Sequence, residues 1–389
     1  MHALARRMHA LARTNARRAA FPIAFQAASP KANLRLNGII MARLFNRNWT
    51  REELRRHVGD WRQIMGIARY SLQEGMESGV EMCEFRTGSG FRFVVCPSRG
   101  MDITYAEHNG RPLCWNSPSG FAHSAYYEKE DVGWLRGFGG GLLTTCGLSS
   151  IGPACEDGGE HFGIHDRVSY LPASRVHVAE EWRRDGGGEE HFEMSCGGQI
   201  RQTRVFGADL LLTRTISARA GENRLTLRDS IENRGFEAVP LAVLYHCNFG
   251  FPVVAEGSIV RAPSSLCRPR DMEAQRDADQ WMNLHAPQTG YDERVYFHDM
   301  TPDSNGMVRA EIWNDDLQFG AYVSYRAREL PRFTQWKMLG AGTYVCGLEP
   351  SNAPLASRAQ LRKRGELPFL KPGETRHFAL ELGVVEMPA

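Results

Sequence analysis

Two stretches carry an ionisable side chain out of an apolar run: LYHCNFGFP (residues 244–252) with His246, and TYVCGLEPSNAP (343–354) with Glu349. The residues before His246 are apolar and partly β-branched, so they read as a buried strand that delivers the imidazole to its end, where Asn248, Gly250 and Pro252 break the pattern. A histidine there can be a satisfied core residue, a metal ligand or a proton donor. Glu349 follows Tyr344–Leu348 and precedes Pro350, which places it at a strand end beside desolvating neighbours; the plainer alternative is a surface glutamate at a turn. A His and a Glu brought together, with no nucleophile or cofactor motif beside them, point to proton transfer. On that reading Glu349 is ionised at neutral pH, and a nearby carboxylate raises the His246 imidazole to about 6.5 or above, against the opposite pull of burial.

Other constellations are tested and set aside. The cluster RGFGGGLLTTCG (136–147) contains neither a phosphate loop nor a dinucleotide fingerprint. His161 and His165 in EHFGIHD stand four apart, but Phe162 follows the first where a helical zinc protease needs Glu, and Gly163 lies between them. A strand-borne metal set of two His and a carboxylate stays open as an alternative. The reading taken is no metal and no cofactor.

The elements that must position these groups are strands. Short runs such as VEMCEFRT, FRFVVCPS, RVHVAEEW, LLTRTISA, NRLTLRDSIEN, PLAVLYHCNF, ERVYFHD, VRAEIWN, QFGAYVSYR, TYVCGLEP and RHFALELGVVE are bounded by Gly, Pro, Asn or Asp, as in antiparallel all-β proteins. Ser304-Asn305-Gly306 between two of them reads as a hairpin turn. One helix is expected, capped by Thr50 and running through REELRRHVGDW, with Glu52 and Glu53 in its first turn. The expected fold class is all-β, one large antiparallel β-supersandwich with a short N-terminal helix, spanning residues 41–389.

Of 389 residues, 42% are hydrophobic and 24% charged, enough to bury a large core. Residues 1–40 carry seven basic and no acidic residues, leaving 40 basic against 45 acidic from Met41 onward. This leader reads as upstream sequence from a start codon placed too early, or else as a targeting segment, and is left out of the fold. Nine scattered cysteines, none in a C-x-x-C spacing, suit reduced thiols and a cytoplasmic location. No apolar run reaches the ~20 residues of a membrane helix. No basic patch with interleaved aromatics suggests nucleic acid. The expected state is monomer or homodimer.

Four polar islands stand in order along the chain: PSRGMDI (97–103), GEHFGIHDRVSYLP (159–172), LYHCNFGFP and TYVCGLEPSNAP. In this order they resemble the aldose 1-epimerase (galactose mutarotase-like) superfamily, and within it a branch with SRGMDI, Y-H-x-N-F-G-x-P and G-L-E-P segments. The resemblance runs from Met41 to the C-terminus. It implies interconversion of sugar anomers, a reaction that needs only a base at the anomeric hydroxyl and an acid at the ring oxygen. It makes Glu349 the base, His246 the acid and His165 a second active-site histidine on the ring-oxygen side. Arg99 and Asp102 would bind sugar hydroxyls, with Asp299 and Lys337 as further candidates. Trp115, Trp134 and Trp336 would stack on the sugar or serve the core. The chain departs from the galactose enzymes where YHCNFGFP replaces N-H-x-Y-F-N-L and where Asp166 stands in place of the glycine common after the first active-site histidine, so the sugar is not assumed to be galactose. A non-catalytic sugar-binding protein on the same fold and a metal-dependent sugar or uronate isomerase are the alternatives.

Overall fold

The computed structural model describes residues 42–188 and 190–386; the expected leader, 1–40, lies outside the described residues. Three antiparallel sheets dominate. A five-stranded sheet runs Gly66–Ser71, Glu81–Arg86, Phe91–Cys96, Asp102–His108 and Arg111–Pro112 in sequence order. An eight-stranded sheet has the order Ser174–Arg184, Glu190–Thr203, Asp209–Arg219, Arg224–Asn233, Thr375–Glu386, Phe319–Arg326, Met307–Asn314, Ile259–Arg261.

The site is built on the third sheet. Its strands are β1 (Thr144–Leu148), β2 (Ala242–Gly250), β3 (Ser264–Pro269), β4 (Arg294–Met300), β5 (Arg332–Gly340) and β6 (Thr343–Ser351), in the spatial order β3-β4-β5-β6-β2-β1. All three sheets feed one core, including Phe85 and Phe93, Leu212 and Leu225, and Tyr245 and Leu348. A second apolar layer of Trp134, Phe138, Cys146, Leu244 and Leu361 covers the other face of the six-stranded sheet. Every residue of β2 is buried. Covering on both faces explains why this strand reads as a continuous apolar run rather than an alternating one.

The all-β reading holds, with three local differences. The helix is one turn, Arg51–Arg55; Thr50 caps it as expected and Glu53 completes a capping box, but Asp60 caps a separate 3-10 turn at Trp61–Gln63 and ends any continuation. The Asn305-Gly306 turn is a corner and not a hairpin, since the strands on either side of it pair in different sheets. His246 and Glu349 lie within their strands, which extend to Gly250 and Ser351.

Among the described residues no helix is long and apolar enough to cross a membrane, and all nine cysteines are free.

Candidate active site

Register brings the two ionisable residues together. β2 and β6 pair antiparallel through Leu244–Ser351 and Cys247–Leu348, which sets His246 directly opposite Glu349. The ladder skips those positions because Pro350 has no N–H to donate. His246 Nε2 lies 3.2 Å from Glu349 Oε1, and both side chains are buried. Approach is close but the angles do not make a hydrogen bond: Glu349 Oε1 and His246 Nδ1 have no partner among the described residues, and neither has Asn248 Oδ1 two residues along the same face. Buried polar atoms are normally satisfied by protein or water, and these three retain hydrogen-bonding capacity side by side.

Gly347 makes room for the carboxylate. It precedes Glu349 by two and so shares its face; a Cβ there would meet Glu349 Oε1 at 2.5 Å and Trp336 Cβ at 3.1 Å. The G-L-E spacing therefore has a steric reason. Trp336 packs edge-on against His246 (centroids 5.2 Å apart), as do Phe138 (5.5 Å) and His165 (6.0 Å). Trp115 adds a further edge contact to Trp336.

His165 reaches this cage from a strained turn. His165 and Asp166 have φ of +60° and +56°, a left-handed conformation that costs non-glycine residues about 1–2 kcal/mol each. The turn is tied down. His165 donates its backbone N–H to Gly152 O and accepts from Gly147 N–H, while the Asp166 carboxylate accepts from Ser149 N–H, Ser149 Oγ and Gln202 Nε2. This accounts for an aspartate where glycine would sit more easily: the side chain locks what the backbone resists. Gly152 N–H donates to His165 Nδ1, so in the neutral ring Nε2 carries the proton.

Burial governs the electrostatics. Loss of water, then the neighbouring His165, pushes the His246 imidazole down to about 3; burial alone pushes His165 down to about 4. Glu349 is pushed well above the ordinary carboxylate range by burial and then by Glu293, with Arg270 pulling the other way. The expectation of an ionised Glu349 beside a raised His246 is thus reversed in direction for both groups. Desolvation disfavours the charged form of each group, and the favoured form is a neutral imidazole beside a protonated carboxyl.

The other candidates are not brought to this pair. Arg99 is buried, with Nε, Nη1 and Nη2 donating to the carbonyls of Ser169, Ala122 and Gly137; it ties together the segments that frame Trp134 and Phe138. Asp102 bonds Thr145 and Arg214 on the core face. Lys337 alternates with Trp336 and so lies on the core face of β5, where Nζ donates to Gln280 O and burial lowers its amine to about 8. Asp299 lies on the site side of β4 but is exposed and held bidentately by Arg268. A free sugar-binding role for a strand-borne charge fails where alternation turns the side chain inward, and only the face assignment shows which way it turns.

Two charged residues escape the sequence reading. Glu293 accepts from Trp336 Nε1 at 2.8 Å and pairs with Arg270 at 2.9 Å. Their sequence signal, charged residues flanking a strand, is that of a solvated loop; only the indole partner distinguishes Glu293. Trp134 is buried and donates to Ser169 Oγ, so of the three tryptophans it serves the core.

Residues 77–384 match the model of the family described as Domain of unknown function (DUF4432). The chain belongs to this family. The fold of this DUF4432 chain is that of the galactose mutarotase-like superfamily. It is similar to the crystal structure of a Klebsiella pneumoniae subsp. pneumoniae protein proposed to be an aldose 1-epimerase, with 25% identity and a TM-score of 0.77 over 82% of this chain and 83% of that one. A galactose mutarotase-like protein from Clostridium acetobutylicum shares 14% identity, TM-score 0.56, over 84% and 100% of the two chains. A galactose mutarotase related enzyme from Lactobacillus acidophilus shares 12%, TM-score 0.52, over 82% and 98%. No curated protein sequence matches the chain.

Proposed function

We propose that this DUF4432 chain is an aldose 1-epimerase that interconverts the α and β anomers of a free sugar by acid/base ring opening, without a cofactor. The observation that carries this reading is the buried cross-strand contact of His246 with Glu349, with orphaned polar atoms in an aromatic cage. The hemiacetal presents two oxygens on one carbon, the anomeric hydroxyl and the ring oxygen. Two proton-carrying groups in contact match that spacing.

The chemistry balances without any third reagent. A base takes the anomeric hydroxyl proton, the C1=O bond forms as the C1–ring oxygen bond breaks, and an acid protonates the departing ring oxygen. Rotation about C1–C2 exposes the other face of the aldehyde, and the reverse steps close the ring. The resemblance to the superfamily assigns the base to Glu349 and the acid to His246. Burial favours the shared proton on Glu349. Its transfer across 3.2 Å to His246 gives carboxylate and imidazolium with no change in the number of protons bound. A sugar hydroxyl donating to the carboxylate and a ring oxygen accepting from the imidazolium stabilise that form, restoring the polar partners burial had removed. His165, with its proton on Nε2, supplies a neutral donor beside His246, on the ring-oxygen side.

The test is anomer exchange by magnetisation-transfer NMR over a panel of free aldoses, with the parent chain and Glu349→Gln. Acceleration by the parent and a loss of roughly 10²-fold or more in the variant are expected. Binding without exchange would make the chain a sugar-binding protein; equal exchange by the variant would remove the base assignment.

A further inference from the structure

The His165–Asp166 turn borders two different spaces. His165 packs on Trp134 and His246 in the cleft, whereas Asp166 lines a second cavity of about 620 Å³, a volume in the range of small-ligand sites. His161, four residues before His165, also lines this second space.

Its walls carry Lys129, Arg167, Arg204, Arg358 and Arg362 against Glu160 and Asp166. The pairing leaves positive charge over. A single buried carboxylate, Asp157, serves both Arg358 (2.7 Å) and Arg362 (2.6 Å), and Arg204 pairs with Glu160 at 3.1 Å. Arg167 donates to the Thr203 carbonyl and faces the charge of Asp166 at longer range, and among the described residues neither it nor Lys129 makes an ion pair within 4 Å. This runs against the trend of a body that carries 40 basic and 45 acidic residues from Met41 onward. Beneath the cations lies carbon: the Arg358 guanidinium sits 4.2 Å over the Phe162 ring, beside Leu210, Val239 and Phe369. Gly163 lets the rim close. A Cβ there would meet Lys129 O at 2.1 Å, so only glycine allows the Lys129 segment to lie against the end of the 160–162 strand.

We infer that this cavity binds a small organic oxyanion, a phosphate ester or a polycarboxylate. The guanidinium N–H groups that Asp157, Glu160 and Thr203 leave free can donate to the oxygens of either group, the surplus cations neutralise its charge, and the apolar floor accepts its carbon skeleton. The inference does not depend on anomer exchange.

Isothermal titration of the full chain at matched ionic strength, with glycerol phosphate, inorganic phosphate and citrate as probes, tests it. Saturable binding is expected, weakened about tenfold or more in a Lys129→Gln/Arg204→Gln double variant whose melting temperature is unchanged. Arg167→Gln, on another wall, is expected to weaken it likewise should the double variant fold poorly. Glu349→Gln should bind as the parent does. Tighter binding of the phosphates than of citrate identifies a phosphate site, and the reverse order a carboxylate site. Absence of saturation with all three probes, equal affinity in the cavity variants, or loss of binding in Glu349→Gln would overturn the assignment.

Discussion

Glu293 holds the indole of Trp336 by a 2.8 Å hydrogen bond while the far side of that ring packs against His246. A charged residue at the edge of the cleft thus sets the position of an aromatic wall at its centre. Glu293→Gln keeps an acceptor and should leave kcat within a few-fold; Glu293→Ala frees the indole and should lower kcat/KM by about tenfold or more. Steady-state exchange kinetics of the two variants separate a positioning role from a purely electrostatic one, which would make the two substitutions alike.

Gly347→Ala should damage activity more than stability. The new methyl group meets the far end of the flexible Glu349 side chain, which swings aside at small cost, yet the carboxylate loses its place opposite His246. A loss of roughly 10²-fold in exchange rate with a stability change of about 1–3 kcal/mol is expected. Denaturant unfolding beside the exchange assay checks it, and undiminished exchange would contradict the geometry.

The pH profile of kcat/KM should lack a limb near the ordinary histidine value of about 6.5. The imidazoles of His246 and His165 are depressed to about 3 and about 4, so they stay neutral in the free protein until the pH falls well below 6.5, and the acid limb follows them down. Glu349 is raised, so its proton is lost at a higher pH than an ordinary carboxyl's and sets the other limb. The same depression bears on folding. An unfolded His165 takes up a proton below about pH 6.5 that the folded one refuses, so its contribution to stability is complete above 6.5 and is lost as the pH falls toward about 4. In His165→Asn, the loss of stability between these values should shrink by up to one proton's worth of slope, measured by denaturant melts at a series of pH values.

Arg214→Met should cost about 3–5 kcal/mol. Arg214 is fully buried and bonds both oxygens of Asp229, Asp102 Oδ1, Thr145 Oγ1 and the Gly100 carbonyl, while Tyr245, next to His246, donates to Asp229. Removing the guanidinium leaves two buried carboxylates without their cation. Chemical denaturation quantifies the loss, and a change below 1 kcal/mol would mean that protonation of Asp102, already raised to about 6, absorbs the damage.

The strands at 81–86, 91–96 and 294–300 were legible because each alternates or masses apolar residues between turn signals, and His246 and Glu349 because each interrupts such a run. Thr144–Leu148 and Arg332–Gly340 were not, since glycine, threonine and charge dilute the pattern of strands whose neighbours supply most of the burial. The site was half legible. A motif names Asp102 and Lys337 but not the face they occupy, and one step along a strand exchanges cleft for core; Arg99, in a turn, is spent instead on three backbone carbonyls. The directions of the pKa shifts were hidden for a related reason: proximity of a His to a Glu can be inferred from two motifs, but the exclusion of water from both depends on Trp336 of β5 and on Phe138 at the end of a 3-10 turn.

The two covers of the six-stranded sheet have separate consequences for how the protein can change. Behind it, the Arg214 network knits three sheets together, and a substitution there threatens the whole molecule. In front, Trp115, Phe138 and His165 come from segments outside the sheet's strands, and these are tied back to it and to its neighbour by Trp115 N–H to Asn248 O and by Asp166 to Gln202. Exchanging the Trp115 and Phe138 side chains would therefore reshape the wall around Trp336 and His246 without touching the Arg214 network.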